Sequence, residues 1–136
     1  MLKGHTNEVH CVVLLEWGRL ASASRFDKTI RIWDWTMDYC ERVLEGDTMN
    51  YKEVHCMAPL EGGRLAAACD DWGIRIWDWT TGDCEKELWG HLNPVQCCCS
   101  GALMEWGNLA SGAWGSASRW NDDDNDFTVR IWDTTA

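Results

Sequence analysis

The residues of this chain best equipped for chemistry are a carboxylate run, a cysteine triplet and a few histidines. Asn121–Asp126 reads NDDDND, and Asp122, Asp124 and Asp126 alternate as the hard oxygen ligands of a calcium loop do. Phe127 stands where such a loop needs its glycine, and no glutamate follows at the usual distance. The run, with Asp123 inside it, therefore reads as a solvated acidic loop, and no cofactor is expected. Cys97, Cys98 and Cys99 follow His91 and offer zinc-type donors. Consecutive strand residues point to opposite faces, however, so three thiolates in a row cannot converge on one ion. No nucleophile sits in a recognisable elbow, and no carboxylate pair stands apart from turn residues. An enzyme is not expected.

The bulk composition narrows the partners. With 12 Lys and Arg against 22 Asp and Glu the formal charge is −10, which disfavours nucleic acid and anionic membrane surfaces and suits a basic partner. The polar start, MLKGHTNEVH, does not read as a secretion signal, and no run approaches the length of a membrane span. The eight cysteines are then expected as reduced thiols, placing the chain in the cytoplasm or another reducing intracellular compartment. A targeting segment removed earlier would leave the organelle open.

What must position any site is a repeat. There are 11 tryptophans but only two phenylalanines and two tyrosines, a bias that points to one copied motif. IRIWDWT occurs at Ile30–Thr36 and Ile74–Thr80, and VRIWDTT at Val129–Thr135. Upstream, EWGRLASAS, EGGRLAAAC and EWGNLASGA align from Glu16, Glu61 and Glu105. The units run about 4–46, 47–90 and 91–136, all in a single domain. Within each, short runs rich in Val, Ile, Leu and Trp are separated by Gly, Asn and Asp turns, and no segment holds a helical period. The first unit is predicted to form strands at Val9–Leu15, Arg19–Ser24, Thr29–Trp33 and Cys40–Leu44. The second repeats them at Val54–Leu60, Arg64–Cys69, Gly73–Trp77 and Cys84–Trp89. This is an all-β chain.

Gly-His at the start of a unit, the LASAS strand, an Asp turn and the closing IWD resemble the WD-repeat (WD40) β-propeller family over nearly the whole length. The resemblance implies four-stranded blades around a central channel, acting mostly as scaffolds for peptides or proteins. It also implies a structural tetrad of His, Ser or Thr, Asp and Trp in each blade. The first unit offers His5, Ser22 (or Ser24), Asp27 and Trp33; the third offers His91, Ser111, Asp126 and Trp132. The second departs from the pattern. Asp47, Ala67 and Cys69 replace the histidine and serines, leaving only Asp71 and Trp77, so that blade must rely on apolar packing.

Three blades do not make a ring of the usual four to eight. A half-propeller completed to six blades by a second copy is the expected assembly, a homodimer. MLKGH matches the end of a fourth strand, so residues 1–3 would complete the partner's third blade, although the closing strand would be short. The alternative is a segment of a larger propeller. The resemblance further implies that the loops after each second strand, and those between blades, share one rim. Phe26, Tyr51, Trp72 and Trp120 lie there with Asp122, Asp123 and Asp124. They are either packing residues or hot spots for a protein or a basic peptide, whose cation would stack on a ring. Trp17, Trp35, Trp79 and Trp106 fall in the opposite loops, where they either fold back over blade edges or form a second apolar rim.

Overall fold

The computed structural model describes residues 1–44, 53–69, 73–90, 95–99, 108–113 and 129–134. Eleven strands account for the regular structure there, in three antiparallel sheets. The first sheet takes β1 (Val9–Leu15), β2 (Arg19–Ser24), β3 (Ile30–Asp34) and β4 (Tyr39–Leu44) in chain order. The second takes β5 (Val54–Leu60), β6 (Arg64–Cys69), β7 (Ile74–Asp78) and β8 (Asp83–Leu88) in the same order. The third holds β9 (Val95–Cys99), β10 (Asn108–Ala113) and β11 (Val129–Asp133).

The repeat is a repeat of register. Leu20 pairs with Trp33, Leu65 with Trp77 and Leu109 with Trp132. The first two sheets also share irregularities, between Val9 and Cys11 and between Val54 and Cys56, then again beside Trp33 and Trp77. The third and fourth strands of the first two sheets begin one residue away from the positions read off the sequence. Thr29 is excluded from β3 because its amide and hydroxyl are held by Asp27 Oδ1 at 3.0 and 2.8 Å. Asp34 is included because it pairs with both Arg19 and Tyr39.

Two turn designs set the ends of the sheets. The β1–β2 hairpin closes through Trp17 and Gly18 at φ 56° and 69°, and the β5–β6 hairpin through Gly62 and Gly63, both at φ 75°. Two positive φ values in a two-residue turn match the right-handed twist of the strands. A left-handed residue with a side chain costs roughly 1–2 kcal/mol, so Trp17 sits where its repeat counterpart is the cheaper glycine. The β3–β4 turn is held by Asp34 Oδ1, which accepts from the amides of Thr36 and Met37 at 3.0 and 3.2 Å and from the Thr36 hydroxyl. Asp78 repeats this with Thr80 and Thr81. The Thr36 and Thr80 hydroxyls, foremost among these donors, hold both carboxyls below the usual aspartate value.

The core lies between sheets rather than within one. Ala21, Ala23, Ile30, Ile32 and Leu44 of the first sheet pack against Val54, Met57, Leu65, Ala67, Cys69, Trp77 and Trp79 of the second. The intervening β6 residues, Ala66 and Ala68, join Ala58, Leu60, Ile74 and Ile76 in a second cluster that meets Trp132 of the third sheet. Strand alternation thus divides β6 between two seams. No sheet buries its residues alone, which is why the motif must be copied.

Candidate functional site

Four side chains from four places in the first unit converge on the first sheet. Trp33, on β3, donates its indole N–H to Ser22 Oγ, on β2, at 2.7 Å. Ser22 Oγ lies 2.7 Å from His5 Nε2, in the segment leading into β1. His5 Nδ1 lies 2.8 Å from Asp27 Oδ2, in the β2–β3 turn. The ionised Asp27 carboxylate can only accept, which assigns a proton to His5 Nδ1; with the ring neutral, Nε2 accepts from the Ser22 hydroxyl, which itself accepts from Trp33. Burial pushes the Asp27 carboxyl upward. Hydrogen bonds from the Thr29 hydroxyl, His5 and the amides of Thr29 and Thr6 outweigh that and hold it at about 2. Ser24, the other serine that could have joined, has no hydrogen-bond partner for its buried Oγ among the described residues.

Ser22, His5 and Asp27 have the connectivity of a hydrolytic triad. The access is wrong for that chemistry. Ser22 is 5% exposed and its oxygen already accepts from an indole, so a substrate carbonyl has no approach to it. The group pins a turn and a chain entry to two strands.

The other two units hold this arrangement unequally. In the third, Trp132 donates to Ser111 Oγ at 2.7 Å; His91 and Asp126 lie outside the described residues. In the second, Ala67 stands at the serine position, and the buried Trp77 indole N–H has no partner among the described residues. Asp71 and Asp47 lie outside the described residues.

Phe26, expected on a docking rim, lies in the β2–β3 turn. Its ring is exposed rather than packed on a neighbouring sheet, and the Arg25 guanidinium lies over it at 5.2 Å from the centroid. Arg25 also pairs with Glu53, at the start of the second unit, at 2.5 Å. One face of the ring is therefore already engaged by a cation from the same chain. Tyr51, Trp72, Trp120, Asp122, Asp123 and Asp124 lie outside the described residues.

The opposite loops divide. Trp79 is folded into the seam under Trp17, with ring centroids 5.5 Å apart and planes tilted by 53°. Trp17 and Trp35 remain exposed; Trp106 lies outside the described residues. The two seams, first to second sheet and second to third, hold contacts that sequence reasoning missed. Arg42 donates to the Thr81 carbonyl at 2.9 Å, and Arg64 to the Thr134 carbonyl at 2.6 Å. Lys86, at Arg42's place in the second unit, also reaches the Thr134 carbonyl, at 3.5 Å. The recurring cation of the fourth strand was the available signal. Burial raises the Cys11 thiol above its ordinary value, which leaves it a packing residue rather than a nucleophile.

The first unit's His5, Ser22, Asp27 and Trp33 group and both hairpin turns lie within segments that match the WD40 family, described as "WD domain, G-beta repeat", over residues 1–34 and 38–78, more than half of the chain. The chain belongs to the WD-repeat family. Its three sheets are blades of the propeller fold, and WD-repeat proteins serve in general as protein-interaction scaffolds. A crystal structure of RRP9 WD40 repeats aligns with a TM-score of 0.78 over 98% of this chain, at 21% identity. That identity supports the fold alone. The chain spans 38% of the length of that structure. No curated protein sequence matches it. The third WD unit lies beyond the matched residues, yet its Leu109–Trp132 pairing has the register of the other two.

Proposed function

We propose that this chain is a non-enzymatic protein-interaction scaffold. Two copies close into a six-bladed ring, and the ring binds a peptide or protein on the loop face that carries Phe26. The observation behind this reading is that the two end blades expose the halves of a seam that is closed inside the chain. Met57 is 5% exposed against the first blade, whereas Val12, its counterpart in the first blade, is 56% exposed. Ile32 is fully buried against the second blade, whereas Ile131, its counterpart in the third, is 57% exposed. Repeat arrays ordinarily cap such faces with polar residues. Here each open face is apolar and shaped by the same motif as the other's natural neighbour.

The charge of −10 favours a basic peptide or protein segment as the bound partner, met in a reducing intracellular compartment. A second reading, a blade segment of a larger ring, is favoured by the 38% of the RRP9 structure that the chain spans. Light scattering on a sizing column separates the two. A discrete species near twice 15.5 kDa supports the ring, and a monomer or polydisperse aggregate supports the segment. For the docking face, Phe26→Ala should weaken capture of basic peptides from an array without changing the native mass. Unchanged capture would remove Phe26 from the site.

A further inference from the structure

The Phe26 ring and the Glu53 carboxylate share one guanidinium. Arg25 lies over the ring at 5.2 Å from its centroid, and its Nε reaches Glu53 Oε1 at 2.5 Å. An aromatic face and a carboxylate on the same cation is the chemistry by which one protein takes an arginine side chain of another. Here the cation comes from the residue beside the ring. No other cation among the described residues pairs with Glu53.

The ring and the carboxylate stand on held backbone. The Arg25 amide donates to the Glu8 carbonyl at 3.1 Å, and the Ser24 amide to the Thr29 carbonyl at 3.3 Å. Asp27, on the other side of Phe26 in the chain, is fixed by His5, Thr6 and Thr29. Glu53 directly precedes the fully buried Val54 at the start of β5. The Arg25 side chain, by contrast, is half-exposed and can swing away without moving any of these. Exposed ion pairs and exposed cation–π contacts are each weak, so this strut adds little to a seam already closed by buried apolar side chains. Nor does the repeat require it. After the matching residues Ser24 and Cys69 the sequence has Arg25 in the first unit and Asp70 in the second.

We propose that Phe26 and Glu53 form a cation site for an arginine side chain of a bound peptide or protein, and that Arg25 is a gate, holding the site until such a side chain displaces it. This rests on the reading that the Phe26 face docks a basic segment, and it names the group recognised and the residue that opposes it. Exchanging one guanidinium for another preserves both the aromatic contact and the ion pair, so docking leaves neither Phe26 nor Glu53 without a cation. The displaced Arg25 side chain passes into water, where its charge is solvated. A guanidinium suits the site better than an ammonium, because its plane stacks on a ring while its fork pairs with a carboxylate. Occupation from within the chain lowers the apparent affinity by the fraction of time the site stands open. Docking is thereby reserved for segments that add further contacts around the arginine.

The test titrates N-acetylarginine amide into the full chain and follows the backbone amide resonances of Phe26 and Glu53, with uncharged N-acetylcitrulline amide as the control. Arg25→Gln should bind the arginine probe about threefold to tenfold more tightly than wild type, the gain from removing a resident occupant. Arg25→Lys keeps a cation at the ring and should stay near wild type. Adding Glu53→Gln to Arg25→Gln should remove the gain, and citrulline should bind none of these proteins. Arg25 and Glu53 lie outside the buried clusters, so the variants should keep the wild-type circular dichroism spectrum. Arg25→Gln binding no tighter than wild type overturns the gate, and an Arg25→Gln chain with no saturable shift overturns the cation site. If either occurs while Phe26→Ala still loses capture of basic peptides, the docking face stands without the gate. If Phe26→Ala captures them unchanged as well, face and gate fall together.

Discussion

Trp33 and Trp77 occupy the same place in identical heptapeptides, but only Trp33 has a hydrogen-bond partner for its indole N–H among the described residues. The difference is made one strand away, where Ser22 in β2 becomes Ala67 in β6. A buried donor left unpaired carries a penalty of about 1–3 kcal/mol. The second blade carries that penalty and is held by packing on both sides instead.

Ala67→Ser should therefore stabilise the protein. The registers match, so the new hydroxyl should meet Trp77 as Ser22 meets Trp33, for a gain of about 1 kcal/mol. Urea denaturation should show a higher midpoint at unchanged slope. A lower midpoint would mean that the buried site has no room for the oxygen.

The two IRIWDWT segments give a sharper contrast. Trp79→Ala empties a buried site in the first seam and should cost about 3–5 kcal/mol. Trp35→Ala, in the identical local sequence, should change the unfolding free energy of the separate chain by under about 1 kcal/mol. Equal losses in dilute denaturation experiments would contradict the burial difference between them.

The acid limb of stability should report Asp27. Its carboxyl lies at about 2 in the folded state against an ordinary 3.8, so the folded chain prefers the ionised form. That contribution is fully present above pH about 4 and is lost as the pH falls from there towards about 2. Asp27→Asn should lower stability at neutral pH and flatten the pH dependence across that window. If the slope there is the same in both proteins, another carboxylate is responsible.

The β5–β6 turn offers a local test. Gly62 and Gly63 share φ 75°, but a Cβ at Gly63 would lie 2.7 Å from the Thr80 methyl, whereas one at Gly62 meets nothing within 4 Å. Gly62→Ala should cost only the backbone strain, about 1 kcal/mol. Gly63→Ala should cost visibly more in the same melting experiment. The reverse order would place the clash elsewhere.

The strands were legible because apolar alternation and the Gly and Asp turns are local properties, and three copies reinforced one another. The tetrad group of the first unit was legible through the family resemblance, but that resemblance left Ser22 and Ser24 open. Register decides between them, since Ser22 lies next to Trp33's indole and Ser24 lies at the strand end. The fates of Trp35 and Trp79 could not be read from their segments, which are the same seven letters. They differ only in whether a neighbouring blade supplies a ring, a property of the repeat's position in the array. Arg25 over Phe26 went unread for a similar reason, because its geometry depends on Glu53 of the next unit.

Because β6 gives Leu65, Ala67 and Cys69 to one seam and Ala66 and Ala68 to the other, it can open only when both neighbours let go. The separate chain therefore behaves as a short one-dimensional lattice whose central site is coupled twice and whose outer sites are coupled once. Amide hydrogens of β6 should be the last to exchange with deuterated solvent, after those at either end, with lifetimes set by whole-chain opening rather than by local fraying. The blade that lacks the best-developed hydrogen-bond group is, by its place in the row, the one that holds on longest.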